Sequence, residues 1–399
     1  MHRLADIYFA EIQPVYTFLD PDAVHTAVSA SADQPPEHPS NCVLLGIAAL
    51  ACLFSKEEPS GLQSEIIHNA RASLEYSTTL AVPTIDHVVG WLLRVLYLRF
   101  TSSPNPTWLA SCTLMHFIET VKLHVEPAPK SNLNSIHGLQ ETYSPQLRRQ
   151  IYYTAQIFNT WISYDYGQAR IIPRDVFWWT TENRIFWKLS DSLDPNLQLS
   201  ATELENILEQ TVQLKPSHPA MKLKRCNIAL CVYRRLRVTG CAVSTKAVDK
   251  ILQLGDDGIE IATTMAKAHS PWWHVLNVPF QLLCVLLAID TRASLSRVEK
   301  VFRTLKLLAD KYGSEAIRET WASACTLLRL QIRRKRDDFE LLNRVEIDYL
   351  AWGSDDAPSA SLDQILPDSS QLPPDAGDHC LGEFWELDEI FSTNMFTTL

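Results

Sequence analysis

Pro145-Gln146-Leu147-Arg148-Arg149-Gln150-Ile151-Tyr152-Tyr153-Thr154-Ala155-Gln156-Ile157-Phe158-Asn159-Thr160-Trp161-Ile162 decides the fold class. Ile151, Ala155, Phe158 and Ile162 fall on one stripe at helical spacing, and Tyr153, Ile157, Trp161 and Tyr164 form a second. Ser144-Pro145 opens this helix and Gly167 ends it. The same period recurs on either side. Toward the N-terminus it predicts helices at 41–55, 65–80, 85–100 and 108–124, with Val89, Leu92, Leu93 and Leu96 on one face of the third. Toward the C-terminus it predicts helices at about 200–213, 219–239, 244–268, 275–290, 296–312 and 314–350. Trp108, Leu114, Met115, Phe117, Ile118 and Val121 cover most of the circumference of their helix, which predicts a position deep in the core. Residues 126–144, with Pro127, Pro129 and Gly138, read as a long loop. Sustained alternation of strand type is absent, so the expected fold is all-α, a multi-helical bundle or a two-lobed helical array.

Glycine is scarce, 12 of 399 residues, and no low-complexity linker interrupts the first 350. Residues 1–352 are therefore expected to form one helical body, residues 353–380 a linker of disordered composition, and residues 381–399 an acidic amphipathic segment. The charge follows the same division. Ten of the 46 acids and none of the 36 Lys and Arg lie in 353–399, which leaves 36 of each sign in the body. A neutral body has no general electrostatic reason to bind nucleic acid. The nine cysteines are odd in number, sit mostly in apolar runs and include no Cys-x-x-Cys pair. Free buried thiols in a reducing compartment are expected, without disulfides or a structural zinc site. Met1-His2-Arg3-Leu4-Ala5-Asp6 does not open a signal peptide, and the apolar runs 42–54 and 275–289 are too short to span a bilayer.

The order of motifs resembles the fungal-specific transcription factor regulatory domain, the middle homology region of zinc-cluster activators. Tyr8-Phe9 followed by Pro14-Val15-Tyr16-Thr17-Phe18-Leu19-Asp20 is similar to that family's opening segment. Ala70-Arg71, the helix around Leu92 to Leu98, and Trp108 to His124 resemble its next blocks. Leu147-Arg148-Arg149-Gln150-Ile151-Tyr152-Tyr153 is similar to its paired-arginine helix. That helix leads into Gly167-Gln168-Ala169-Arg170-Ile171-Ile172 and Asp175-Val176, where the family has Gly-Arg-Pro, a hydrophobic pair and an acid; Ala169 stands in place of the proline. The likeness covers roughly residues 4–180 and is looser through 181–352. It assigns structural roles to Arg148, Arg149, Gly167 and Asp175. No six-cysteine cluster precedes the first helix. The resemblance therefore implies a nuclear regulator of transcription by RNA polymerase II, with DNA reached through a dimer partner carrying a zinc cluster or through an N-terminal segment not present in this sequence. It also leaves room for a small-molecule effector.

Leu381, Phe384, Trp385, Leu387 and Phe391 share one helical arc opposite Glu383, Glu386 and Glu389, the composition of an activation segment that folds into a coactivator groove. The alternative is a terminal helix docked on its own body. Arg333, Arg334, Lys335 and Arg336 form a basic run suited to nuclear import, or else to a solvated helical face. Between Gln210 and Val248 there are eight Lys or Arg and no acid, but their positions scatter around a helix. Asp256-Asp257-Gly258-Ile259-Glu260 invites comparison with the Asp-rich Mg²⁺ motif of all-helical prenyl-diphosphate enzymes, yet no second acidic motif follows it. His269 and His274, separated by Pro271, do not present a ligand pair, and Trp272 and Trp273 read as core or lobe-interface packing. No catalytic motif, metal site or cofactor is expected. The rival readings are a helical interaction scaffold or corepressor-type protein not bound to DNA and, further off, the Mg²⁺-dependent prenyl-diphosphate enzyme.

Overall fold

The computed structural model describes residues 1–347 apart from 34, 36, 37, 56–60, 81, 103, 126–142, 175–184, 195 and 241–242. Nearly all of the expected loop before Ser144, Asp175, the linker 353–380 and the segment 381–399 lie outside the described residues. Among the described residues every regular element is helical and none is a strand, so the fold is all-α. The first half holds α1 (His2–Glu11), α2 (Pro21–Ala30), α3 (Pro39–Phe54), α4 (Gly61–Leu80), α5 (Ile85–Thr101), α6 (Pro104–Thr120) and α7 (Pro145–Tyr166). The second holds α8 (Ile185–Asp191), α9 (Ala201–Gln213), α10 (Pro219–Val238), α11 (Thr245–Lys267), α12 (Trp273–Ile289), the short α13 (Arg292–Leu295), α14 (Val298–Tyr312) and α15 (Glu315–Val345).

Local chemistry sets the ends of these helices. Ser144 Oγ accepts from the Leu147 amide ahead of Pro145, and Gly167 closes α7 in the left-handed region at φ 60°. Ser200 and Glu203 form a reciprocal capping box on α9. α12 ends on Asp290 at φ 55°, a left-handed residue that is not glycine, and its carboxylate is used elsewhere in the fold.

Two halves share one core. α3 packs on α1, α4 and α5, and α5, α6 and α7 follow side by side. In the second half α12 is the hub, touching α10, α11, α14 and α15. It is buried almost without interruption from His274 to Leu287, its largely apolar sequence carrying His274, Asn277 and Gln281 inside with it. α11 reaches its neighbours through two glycines: a Cβ at Gly255 would lie 2.5 Å from Leu282 Cδ1, and one at Gly258 2.9 Å from Cys226 Sγ. The glycines flanking Asp256-Asp257 thus serve close helix packing. The halves meet where Tyr16, Phe54 and Phe100 surround Trp272 and where the Tyr164 hydroxyl donates to the Cys231 carbonyl at 3.1 Å.

One expectation needs correction. α6 is not sunk in the core; it buries Ala110, Ser111, Leu114, Met115 and Ile118 but leaves Leu109 53% exposed and His116 in solvent. Trp108 is only half-buried, its indole nitrogen donating to the Ala169 carbonyl at 3.3 Å. Among the described residues α5 and α7 are the helices that flank it most closely, and its outer face is left exposed.

Candidate functional site

The joint between the halves gathers charges that no local pattern connects. Arg99 lies in the last turn of α5 and Asp165 in the last turn of α7. Arg99 Nη2 donates to Asp165 Oδ2 at 2.8 Å, with the two side chains 5% and 14% exposed. Trp273, at the start of α12, covers the guanidinium at 3.6 Å from ring centroid to Cζ. His274 meets Trp161 edge-on at 5.6 Å, and on the Trp161 ring sits Lys224 of α10, its Nζ 4.8 Å from the centroid and within reach of Tyr16 and Phe186. Among the described residues no carboxylate pairs with Lys224, and neither ring nitrogen of His274 finds a hydrogen-bond partner.

Burial dominates the electrostatics of this cluster. It raises the Asp165 carboxyl above its ordinary value against the pull of Arg99, and lowers Arg99 against the pull of Asp165. It holds the Lys224 ammonium down at about 8 and keeps the His274 imidazole well below the ordinary range, hence neutral at physiological pH. The buried thiols move the other way: Cys226 and Cys42 are pushed up to about 12 and Cys284 to about 11, so none is a ready thiolate. The seven cysteines described are all free.

Beside the Arg99–Asp165 pair opens a cavity of about 190 Å³. Its N-terminal wall comes from Leu53 of α3, from α5 and the residue that follows it (Arg99, Phe100, Thr101 and Ser102), from Thr107 of α6, and from Ile162 and Asp165 of α7. Its C-terminal wall comes from Trp272, Trp273, Leu276 and Phe280 at α12, Leu308 and Tyr312 on α14, and Ser314, Ile317, Glu319 and Thr320 where α15 begins. The arrangement can enclose a small molecule between the halves. It sets no nucleophile against a base.

The residues singled out from sequence fall in several places. Arg148 and Arg149 are half-buried in the first turn of α7. Gly167 turns the chain so that residues 168–172 run back along α7. There the Ile171 amide donates to Asn159 Oδ1 at 2.8 Å, and Asn159 Nδ2 donates to Ser111 Oγ at 3.1 Å. Arg170 reaches Thr160, Asp191 and Asp194, tying this block to α8. A buried asparagine therefore docks the block despite Ala169. Arg333 and Arg336 are exposed on α15, whereas Lys335 pairs with Asp290 at 2.5 Å. Leu381, Phe384, Trp385, Leu387, Phe391 and Asp175 lie outside the described residues. Lys215 and Lys246 of the acid-free stretch are exposed, but its arginines turn inward: Arg235 donates to the carbonyls of Ser192, Asp194 and Leu197, Arg225 to that of Leu214 at 2.6 Å, and Arg234 to Gln281 at 2.7 Å. Asp256 accepts from Arg297 at 3.0 Å and Glu260 from Lys300 at 2.9 Å, fastening α14 to α11. Among the described residues no three His, Cys, Asp or Glu gather to hold a metal ion, and no helix is long and apolar enough to cross a membrane.

Sequence reasoning did not find Arg99 or Asp165. The available signal was modest: each is the one charge in the last two turns of its helix, among mostly apolar and aromatic residues.

Comparison with known proteins places the chain. Residues 5–188 match the fungal specific transcription factor domain. The chain is similar to Transcription factor kojR of Aspergillus oryzae, 35% identical over 352 residues, covering 86% of this chain and 63% of that protein. It is similar to Protein RDR1 of Gibberella zeae, 33% identical over 406 residues, 99% of this chain and 74% of that protein. Protein RDR1 of Saccharomyces cerevisiae is 28% identical over 362 residues, 86% of this chain and 65% of that protein. The chain thus spans about 63% of the length of kojR. The family likeness read from motif order is the one the comparisons find, and the chain belongs to the fungal-specific transcription factor family.

Proposed function

We propose that the protein is a fungal nuclear transcription regulator of genes read by RNA polymerase II, with no catalytic activity of its own. The similarity to a named transcription factor over 86% of the chain carries this reading. The helical body serves as the control and interaction module. The segment bearing Leu381, Phe384, Trp385, Leu387 and Phe391 recruits transcription coactivators, its acids keeping the aromatics solvated until a partner desolvates them. The nine cysteines include no six-cysteine cluster, and DNA targeting is assigned to a zinc-cluster partner or to residues outside this sequence. Arg333, Arg334, Lys335 and Arg336 act in nuclear import. The direct test is a reporter fusion in which Phe384, Trp385 and Phe391 become Ala. Activation should fall to background, and unchanged activation would remove the recruiting role.

A second reading, a helical scaffold not bound to DNA, is favoured by one observation. The far end of α15 exposes Ile332, Phe339, Leu342 and Val345, an apolar set of the kind that meets a partner helix. Chromatin occupancy without any zinc-cluster partner discriminates the two, since a scaffold shows none. The prenyl-diphosphate reading has no support in the geometry, because Asp256 and Glu260 are engaged with Arg297 and Lys300.

A further inference from the structure

We infer that the cavity at the joint is a binding site for a neutral, largely apolar, ring-bearing small molecule carrying a single polar group. The inference goes beyond the transcription reading and does not require it, because binding is read on the purified chain.

Three observations define the ligand class. The first is shape. Phe100, Trp272, Trp273, Phe280 and Tyr312 bring rings to a space of about 190 Å³. On the scale at which one water needs about 10–15 Å³, that admits roughly a dozen or more non-hydrogen atoms. Flat rings meet aromatic walls edge-to-face or offset without distorting them.

The second is charge. Arg99 and Asp165 neutralise each other at 2.8 Å, and Trp273 already occupies the face of the guanidinium. The other charged group on the wall is Glu319, half-buried in the second turn of α15. An anion placed here would meet two carboxylates for one guanidinium that is already paired. A cation would find the Trp273 face taken. Either would lose its hydration without a free counter-charge, so a neutral molecule is preferred.

The third is polar capacity. Much of the wall's polar capacity is already used: Thr101 donates to the Tyr97 carbonyl at 2.9 Å, Thr320 to that of Ala316 at 2.7 Å, Tyr312 to that of Ala266 at 3.4 Å, and Asn277 to Asn227 Oδ1 at 2.6 Å. Ser314 Oγ, at the start of α15, finds no hydrogen-bond partner among the described residues. One hydroxyl, amine or carbonyl on the ligand matches this wall, and a strongly polar ligand does not.

The site spans both halves. A bound molecule therefore contacts α5 and α7 on one side and α12, α14 and α15 on the other.

The experiment uses the full chain and two probes that share a skeleton. N-phenyl-1-naphthylamine is neutral, and 8-anilino-1-naphthalenesulfonate is the same ring system with an anionic sulfonate. The neutral probe should bind saturably, with a dissociation constant at least about tenfold below that of the sulfonate, a difference of about 1.4 kcal/mol. Leu276→Trp, which fills the cavity, should weaken the neutral probe by about tenfold or more, a comparable loss, with the circular dichroism spectrum retained. If that variant does not fold, hydrogen exchange on the wild-type chain decides: saturating neutral probe should slow the amides of residues 99–102 and 314–320. Equal affinity for the two probes overturns the assignment of a neutral ligand. Absence of saturable binding, or protection elsewhere in the chain, overturns the site. A chain that binds the probe but fails in the reporter fusion would sink the recruiting role and leave this site standing.

Discussion

Two stretches of this protein look alike in composition and behave in opposite ways. α10 carries Lys222, Lys224, Arg225, Arg234, Arg235 and Arg237; α15 carries Arg329, Arg333, Arg334, Lys335 and Arg336. In α10 the cations turn inward. Lys224 lies among Tyr16, Trp161 and Phe186, and Arg225, Arg234 and Arg235 donate to carbonyls and to Gln281. In α15 they stand mostly in solvent, beside Asp337, Asp338 and Glu340. The difference lies in what accompanies them. α10 is buried nearly all round, so its long side chains must thread out between neighbours and find carbonyl acceptors on the way. Among the described residues the far end of α15 is largely exposed, with Lys335 drawn in by Asp290. Arginine and lysine therefore report a surface only when the helix that bears them has one.

That contrast can be broken at several points. The largest effect is expected at the joint. Asp165→Ala leaves Arg99 buried without its counter-charge and should cost about 3–5 kcal/mol in urea unfolding. A loss below 1 kcal/mol would mean that solvent reaches the guanidinium. Next is Lys224→Met, which replaces a buried ammonium by an apolar chain of similar length and should stabilise the fold by roughly 1–4 kcal/mol below pH 8. The sign with pH follows from the lowered value in the folded chain, about 8 against 10.5. Between those values the unfolded chain holds more protons, so wild-type stability should rise as pH increases across that window, and Lys224→Met should flatten the rise.

A smaller loss, about 1.5–3 kcal/mol, is expected for Arg235→Ala, which strands the carbonyls of Ser192 and Asp194. Asp290→Ala should cost about 1 kcal/mol and speed amide exchange in α15 after Gln331, because Asp290 holds both Gln331 and Lys335. The smallest change is expected for Arg333→Ala with Arg336→Ala. Stability should stay within about 0.5 kcal/mol while nuclear accumulation of a fluorescent fusion falls. A large loss of stability there would erase the distinction between the two helices.

Most of the helices were legible because their apolar period is long and strong. α3, α5, α7 and α9–α12 begin and end within about two residues of where Ile151-type stripes, prolines and Gly167 place them. α1 and α2 escaped because each is only ten residues long, too short for the stripe to repeat. α8, with seven residues, escaped for the same reason. The burial of α6 was overestimated because a helix apolar around much of its circumference was assumed to have neighbours on every side. Of the joint, only Trp272 and Trp273 were legible, as core or interface packing; the ion pair was not. Arg99 and Asp165 are 66 residues apart, and nothing in the spacing of either helix announces that their last turns meet. The cavity depends on where five helices stop, which is decided by packing across the whole chain.

α15 runs 31 residues, about 46 Å at the usual helical rise. Its first two turns form part of the cavity wall, and Asp290 grips it near the middle through Gln331 and Lys335. A rod held at its root and again halfway turns about the halfway hold, so its far end moves less than its root. A tilt of about 5° about Lys335 moves Val345, ten residues on, by only about 1 Å, well under a side-chain width. The grip of Asp290 on Gln331 and Lys335 thus shields the exposed Phe339, Leu342 and Val345 from small shifts at the cavity wall.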